Sequence, residues 1–384
     1  MPLYKNTPQP SGRMGVLWAL APIFDAAIIE YGSMGHMIYA EKWLAHTGLI
    51  KRAKLITTHL AEKDIALGIT KRLEESVKEV VENKKVNVIF LIPSSVPEMI
   101  GTDLESIGEE LQFMYPQIPI ITFGAGNFKA TKEQGIEEAY FQLVKSLTKK
   151  EDVIEPIEDI DFEKATFNLI GSACDWSRFQ SDTREIIRIM EGAFDMKSAA
   201  VFGSSCNTTS LYKMTNAKVT LVMRKDGIKA AKQLEKKYGI PYLYMTPYGL
   251  LNTITWIKEL EEILGKKADK DYLNNEIEET QYAIHHCNVW TKHKNDKAKL
   301  WISNEDELSL GIQEFAKKEL GFMLATGGIH MSDARQLKQN PGKCNIEVRR
   351  STLSYDINPY ELPFMGFRGT MNLCSLFTDF LIKR

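Results

Sequence analysis

The chain has few cysteines and no Cys-x-x-Cys arrangement. Five stand apart at Cys174, Cys206, Cys287, Cys344 and Cys374. An odd, sparse set argues against a disulfide framework and for a reducing compartment, so a cytoplasmic location is expected. The same spacing excludes a zinc ribbon and a ferredoxin-type cluster run. An excess of one charge is also missing: Lys and Arg total 48 against 50 Asp and Glu, a net charge of −2. That even balance speaks against a nucleic-acid partner. No segment supplies the roughly 20 apolar residues needed to cross a bilayer. The best candidate, Val16–Ile29, is interrupted by Pro22 and Asp25 and lacks a cleavage-type pattern, so it reads as a buried element and not a signal peptide. Neither G-x-x-x-x-G-K-[ST] nor G-x-G-x-x-G followed by a well-placed acid occurs. A nicotinamide site is therefore unsupported, and any ATP-driven step would need a partner that hydrolyses the nucleotide.

What the chain does have is a rhythm: a short β-type run, a small or polar turn, then an amphipathic helix. In the first third the runs are Ala26–Tyr31, Lys54–Thr58, Val86–Ile92 and Ile118–Phe123, with helices over Ile65–Glu82 and Asp103–Met114. An acid-rich stretch, Lys149–Glu163, reads as a linker. The rhythm restarts with strands at Ala165–Ile170, Ala199–Phe202, Lys218–Met223 and Tyr242–Met245. Helices follow at Ile228–Tyr238, at Leu250–Leu264 and from Lys270 to about His286. A third unit has strands at Ala298–Ile302, Phe322–Ala325 and Asn345–Val348, and helices at Glu305–Leu320 and Thr370–Ile382. Strands alternating with helices predict parallel sheets with right-handed crossovers. The expectation is an α/β fold of three Rossmann-like domains, each a parallel sheet flanked by helices, over residues 1–150, 151–294 and 295–384.

In such sheets ligands bind beyond the carboxyl ends of the strands. That rule selects the Gly32-Ser33-Met34-Gly35-His36 turn, the Pro93-Ser94-Ser95 turn and the loops carrying Cys174 and Cys206. His36 could ligate a metal, move protons or cap a helix. Cys174 and Cys206 follow the first two strands of the middle unit. They read either as a soft-metal, cluster or redox pair or as two small residues in tight turns. Arg224 and the Arg349-Arg350 pair, also past strand ends, would suit an anionic ligand, or would be ordinary surface arginines. His330 holds a place in the third unit like that of His36. Cys287 beside His285 and His286 invites a metal reading, but adjacent helix residues point apart and do not chelate together easily, and Cys374 lies in an apolar helix.

At these turns the sequence resembles the nitrogenase component 1 family. Gly32-Ser33-Met34-Gly35-His36 resembles its G-x-x-G-C turn. The stretch from Thr57-Thr58-His59-Leu60 through Asp64-Ile65-Ala66-Leu67-Gly68 is similar to its S-T-x-L-x-E-x-D-x-x-x-G stretch. The segment from Ser94 to Asp103 resembles T-C-x-x-E-x-I-G-D-D, Asn168-Leu169-Ile170-Gly171 the opening of a second domain, Tyr238-Gly239-Ile240-Pro241 its F-G-I-P, and Pro363–Gly369 its closing P-x-x-G-Y-x-G. Where the family places cluster cysteines this chain has His36 and Ser95, and no cysteine precedes Cys174. The family's cofactor cysteine falls near Arg224 and its cofactor histidine near Asp356.

The resemblance implies a nitrogenase-like oxidoreductase subunit, not a true nitrogenase. It would take electrons from a nitrogenase iron-protein-like ATPase and pair with a second copy or a paralogous component 1 chain. His36 and Ser95 would be catalytic. Gly32, Gly35, Cys174, Cys206, Arg224 and Arg350 would bind a cofactor, and His36, Cys174 and Cys206 would be the metal ligands. The cofactor would be an iron–sulfur cluster shared across a subunit interface, or a tetrapyrrole or other metallocofactor. The alternative is a non-catalytic scaffold or carrier for such a cofactor during assembly. A weaker alternative is an unrelated multi-Rossmann enzyme acting on a sugar or nucleotide.

Overall fold

The computed structural model describes residues 10–45, 47–67, 70–83, 85–124, 130–148, 165–204, 206–303, 305–349 and 361–383, with the side chains of 65–67 left aside. The expected linker 149–163, the site candidate Arg350 and the position of Asp356 lie outside them. Twelve strands form three four-stranded sheets among these residues, and every strand pairing in them is parallel.

The first sheet comprises β1 (Ala26–Tyr31), β2 (Lys54–Thr57), β3 (Val88–Pro93) and β4 (Ile120–Thr122), in the order β2-β1-β3-β4. The second comprises β5 (Thr166–Ile170), β6 (Lys197–Phe202), β7 (Val219–Val222) and β8 (Tyr242–Tyr244), in the order β6-β5-β7-β8. The third comprises β9 (Lys299–Ile302), β10 (Met323–Leu324), β11 (Ile329–Asp333) and β12 (Cys344–Arg349), in the order β10-β9-β11-β12. All three repeat one plan: the chain moves outward from the first strand, then crosses back to its other side. Composition follows position. The central strands β1 and β3, Ala-Ala-Ile-Ile-Glu-Tyr and Val-Ile-Phe-Leu-Ile-Pro, are buried at every residue, as a strand covered on both faces must be. The edge strand β2 is partly exposed.

One helix departs from the expected rhythm. Gly12–Leu20 is buried on all sides. It lies against the helix Lys132–Leu147 at a separation only glycine permits. A Cβ on Gly135 would stand 1.8 Å from the Gly12 carbonyl oxygen, and one on Gly15 would stand 2.0 Å from that of Lys132. The loops leaving β5 and β6 rest on the same segment, where Cys174 N–H donates to Trp18 O at 3.2 Å and Phe24 N–H donates to Cys206 O at 3.1 Å. A single hydrophobic cluster runs from Met14 through Phe167 and Leu300 to Leu381 and so joins all three sheets. The last helix, Gly366–Ile382, packs back on the helices Lys270–His293, Gly249–Leu264 and Phe179–Phe194. Among the described residues no helix is long and apolar enough to cross a membrane.

Candidate functional site at the first sheet

With the order β2-β1-β3-β4, the sense in which strands are added reverses between β1 and β3. A crevice opens at such a switch point beyond the carboxyl ends of the two strands. The turn after β1 leads into the helix Met34–Ala45, which carries His36, and the turn after β3 leads into the short helix Ser95–Met99. The two turns bring His36 and Ser95 together, with Ser95 Oγ 2.9 Å from His36 Nε2. The other ring nitrogen, Nδ1, lies 3.1 Å from Ser33 Oγ. Both sequence-selected residues thus share one site although they are 59 positions apart.

A buried ion pair underpins this site. Glu30, the one charged residue of β1, is 1% exposed and accepts a hydrogen bond from Arg13 Nη2 at 2.9 Å. The same guanidinium nitrogen donates to the His36 carbonyl at 3.1 Å and so ties the ion pair to the start of the His36 helix. Burial, aided by the nearby Arg13 charge, pulls the His36 pKa below the ordinary histidine value and favours a neutral ring with one donor and one acceptor nitrogen. Burial also raises Glu98, one turn after Ser95. Gly32 sits where nothing larger fits: a Cβ there would meet Ser94 Oγ at 2.3 Å and Ser94 Cβ at 2.4 Å. Around it, Ser94 Oγ and Glu30 Oε1 are buried without a hydrogen-bond partner. Gly35, by contrast, has open space on its Cβ side.

The expected thiol ligands are elsewhere. Cys174 and Cys206 do follow adjacent strands, but they sit in the core, at 0% and 3% exposure. Cys174 Sγ donates to Trp18 O at 3.1 Å, and Cys206 forms a parallel bridge with Ile23. Their loops fold down onto the buried first helix and the turn after it, so the thiols fill that interface and do not open to a crevice. Burial pushes the Cys206 thiol up to about 12, the opposite of what a thiolate ligand needs.

Arg224 also turns inward. It reaches the switch point of the second sheet, between β5 and β7, where Nη1 donates to Asp175 Oδ1 at 2.7 Å and Nε to Asp226 Oδ2 at 2.7 Å. Lys132 meets Asp175 from the other side at 2.8 Å. Glu133 adds a third carboxylate, 3.3 Å from Lys132, so both cations are already paired with acids of this chain. Arg349 is held by Asp306 at 2.8 Å and by Ser309 at 2.6 Å. His330 is 1% exposed, stacks on Trp301 at 4.0 Å between centroids and lies 2.7 Å from the Asn340 carbonyl, so it is a core histidine. Cys287 and Cys374 are buried in the helices Lys270–His293 and Gly366–Ile382, while His285 and His286 face solvent.

Sequence reasoning selected the turn that holds Ser33 without giving that residue a role, and it missed Arg13, Glu30, Lys132 and Asp175. A lone acid in the otherwise apolar β1 was the available signal, because a buried charge requires a partner. Nothing local marks Arg13 or Lys132 as that kind of partner.

Among the described residues no group of three or more His, Cys, Asp or Glu side chains is placed to hold a metal ion. The donors at the first switch point are one imidazole and two hydroxyls, already bonded to one another. They do not fit an iron–sulfur cluster held by this chain alone, which would draw on thiolates.

The comparisons with known proteins agree with this architecture. The family model for nitrogenase component 1 type oxidoreductases matches residues 11–356. The nitrogenase iron-molybdenum cofactor biosynthesis protein NifE of Clostridium pasteurianum is 24% identical over 357 residues, covering 91% of this chain and 73% of that protein. One subunit of the light-independent protochlorophyllide reductase of Prochlorococcus marinus (strain MIT 9301) is 22% identical over 307 residues, 78% of this chain. The chain spans only 57% of that relative's length. Among solved structures, nitrogenase Cp1 at pH 6.5 superposes with a TM-score of 0.75 at 16% identity, covering 98% of this chain and 92% of the other, which shows a shared fold. With the family model spanning nearly the whole chain and three parallel sheets on one plan, this protein belongs to the nitrogenase component 1 type oxidoreductases.

Proposed function

We propose that this chain is a ligand-donor-poor subunit of a nitrogenase-like oxidoreductase. It works beside a second copy or a paralogous component 1 chain. It receives electrons from a separate ATP-hydrolysing iron-protein-type reductase and helps to hold the ligand that is reduced. The observation that carries this reading is the first switch point, where, among the described residues, His36, Ser95 and Ser33 are hydrogen-bonded to one another and no thiol is present. Family membership and the relationship to a protochlorophyllide reductase support the redox role. The absence of a phosphate-binding loop from the sequence supports a separate ATPase. Because the donors do not fit a cluster held by this chain alone, the redox centre would be the partner's.

The test is anaerobic co-purification with a co-expressed component 1 paralogue and an iron-protein-type ATPase. Iron and acid-labile sulfide are measured on the complex and on this chain alone. The reading requires iron in the complex, little in the isolated chain, and ATP-dependent consumption of reductant only when all components are present. A full complement of iron and sulfide on the isolated chain would overturn it.

A second reading has an observation in its favour. The match to a cofactor biosynthesis protein covers 91% of this chain, more than the match to the reductase. On that reading the chain is a scaffold or carrier for a metallocofactor or tetrapyrrole. It would bind such a compound tightly enough to raise the melting temperature, yet give no turnover with reductant and ATP.

A further inference from the structure

We propose that Ser95 and His36 form a nucleophile–base pair, a second chemistry of this chain that needs no metal and no redox partner, directed at activated carboxylic esters with an apolar acyl group. The geometry is that of a serine whose proton has somewhere to go. Ser95 Oγ lies 2.9 Å from His36 Nε2, within the range expected of a nucleophile and its base. Nδ1 lies 3.1 Å from Ser33 Oγ. With Nδ1–H donating to Ser33, Nε2 is left as the acceptor of the Ser95 proton. Ser33 thus positions the ring, the role of the third member in a serine–histidine triad. The backbone of the His36 helix is pinned from beneath by the Arg13 guanidinium on the His36 carbonyl. Ser95, His36 and Ser33 are each only partly buried, so a small substrate can reach them.

The surroundings select the acyl group. Met99 follows Ser95 by one helical turn and is 75% exposed, and Tyr39 follows His36 by three residues and is 37% exposed. Residues three and four apart share a helix face, so each member of the pair is flanked by an apolar side chain open to solvent. A short aliphatic chain would find contact there, whereas a highly charged substrate would find no free cation among Ser33, His36 and Ser95.

The chemical step balances without an added oxidant or reductant. Ser95 Oγ attacks the ester carbonyl, His36 Nε2 takes the hydroxyl proton, and the C–O bond to the leaving alcohol breaks as the proton passes to that alcohol. An acyl-serine remains. Water, deprotonated by His36, then attacks the acyl carbon and releases the carboxylic acid, returning the proton to Ser95.

The experiment uses the purified full-length chain alone, with no reductant, ATP or second subunit, and p-nitrophenyl hexanoate as the probe. The expected result is a burst of about one nitrophenolate per chain and a hexanoyl mass increment on the peptide containing Ser95. Ser95→Ala abolishes the increment, and His36→Gln slows acylation by roughly 100-fold or more, the usual range for losing a general base. Ser95→Cys, which keeps a nucleophile of nearly the same size, retains the adduct as a thioester. Ser33→Ala removes the Nδ1 partner and changes the 15N shifts of the His36 ring, which a purely structural loss elsewhere would not do. No increment above that of denatured protein, or an equal increment in Ser95→Ala, overturns the proposal. Either outcome leaves the proposed oxidoreductase role standing, because that role is tested only with the partners present.

Discussion

Arg224 and Asp175 meet 2.7 Å apart across the switch point of the second sheet, each less than 5% exposed, with the guanidinium also lying 4.6 Å over the Trp176 ring. The position matches that of His36 and Ser95 in the first sheet, and in the third sheet Ser303, just past β9, lies 2.5 Å from Ser332 near the end of the neighbouring β11. Each sheet therefore carries a polar contact near the carboxyl ends of its two central strands. The third sheet also sets a histidine beside its serines, His330 Nε2 lying 3.4 Å from Ser303 Oγ, but His330 and Ser332 are buried there, whereas His36 and Ser95 are only partly so.

Removing Arg224 should be costly. Arg224→Met leaves Asp175 with Lys132 alone and Asp226 without its 2.7 Å partner. Breaking a buried ion pair from one side costs about 3–5 kcal/mol. Arg224→Lys should recover little, because an ammonium cannot replace a fork whose separate nitrogens meet two carboxylates. Urea unfolding at pH 7 measures both. The Arg224 and Lys132 charges hold the Asp175 carboxyl well below the usual range despite its burial. Its stabilising contribution is therefore complete above the unfolded value near 3.9 and declines only as pH falls through the lower folded value. The deficit of Arg224→Met should accordingly persist at pH 5. A loss under about 1 kcal/mol at pH 7 would show that the network is dispensable.

Asp182 gives the opposite pH dependence. Its Oδ1 accepts the Phe364 and Met365 N–H groups at 2.7 and 3.0 Å, which anchors the start of the last helix, while Oδ2 is buried without a partner. Burial raises this carboxyl to about 6. With a folded value above the unfolded one near 3.9, the folded state binds more protons between pH 4 and 6, so stability falls as pH rises through that window. Asp182→Asn keeps the accepting oxygen and removes the buried charge. It should flatten the slope between pH 4 and 6 and stabilise the chain at pH 7 by about 1–3 kcal/mol, read from melting temperatures across pH. A destabilised variant at pH 7 would refute this account.

Gly32 is tied to Ser94 by space. Gly32→Ala places a methyl 2.3 Å from Ser94 Oγ and 2.4 Å from its Cβ. The single variant should lose about 1–3 kcal/mol through overpacking. Removing only the Ser94 hydroxyl should not restore it, because the Cβ still collides. Ser94→Gly in the Gly32→Ala background should recover most of the loss, and a double-mutant cycle gives the coupling. Additive effects would mean that the two residues do not compete for one space.

The crossing of Gly12–Leu20 with Lys132–Leu147 predicts a severe effect at Gly135. A Cβ there would lie 1.8 Å from a backbone oxygen, which no rotamer change relieves. Gly135→Ala should lower the melting temperature by more than Gly35→Ala, whose Cβ would meet nothing within 4 Å. Equal effects of the two would show that the helices separate at little cost.

Much of the layout is legible in local pattern. The strand Ala26–Tyr31 and the helix Ile228–Tyr238 occur at the expected residues, because an apolar run between turns and a one-sided apolar stripe are both local signals. In the sequence the helix Gly12–Leu20 is visible only in part, as the start of a buried element. Having no polar face, it shows no helical periodicity. β11, Ile329–Asp333, escapes the pattern because His330, Ser332 and Asp333 break an apolar run, yet the first two are buried through partners distant in sequence. The helix from Lys270 continues past His286 to His293, and Ile65–Glu82 divides into Glu62–Leu67 and Lys71–Asn83. Strand-end reasoning places His36 and Ser95 in one site because that rule depends on topology. It fails for Cys174 and Cys206 because a loop's position does not say whether its side chains face outward, and here the buried helix decides.

The all-buried helix Gly12–Leu20 has a thermodynamic consequence. Since it supports loops of the second sheet while belonging by sequence to the first, and since one apolar cluster extends to Leu381, neither segment keeps its hydrophobic surface covered when the other unravels. Heating should therefore give one calorimetric peak in place of three, with the calorimetric and van't Hoff enthalpies in agreement. The three-sheet chain would behave as a single cooperative unit.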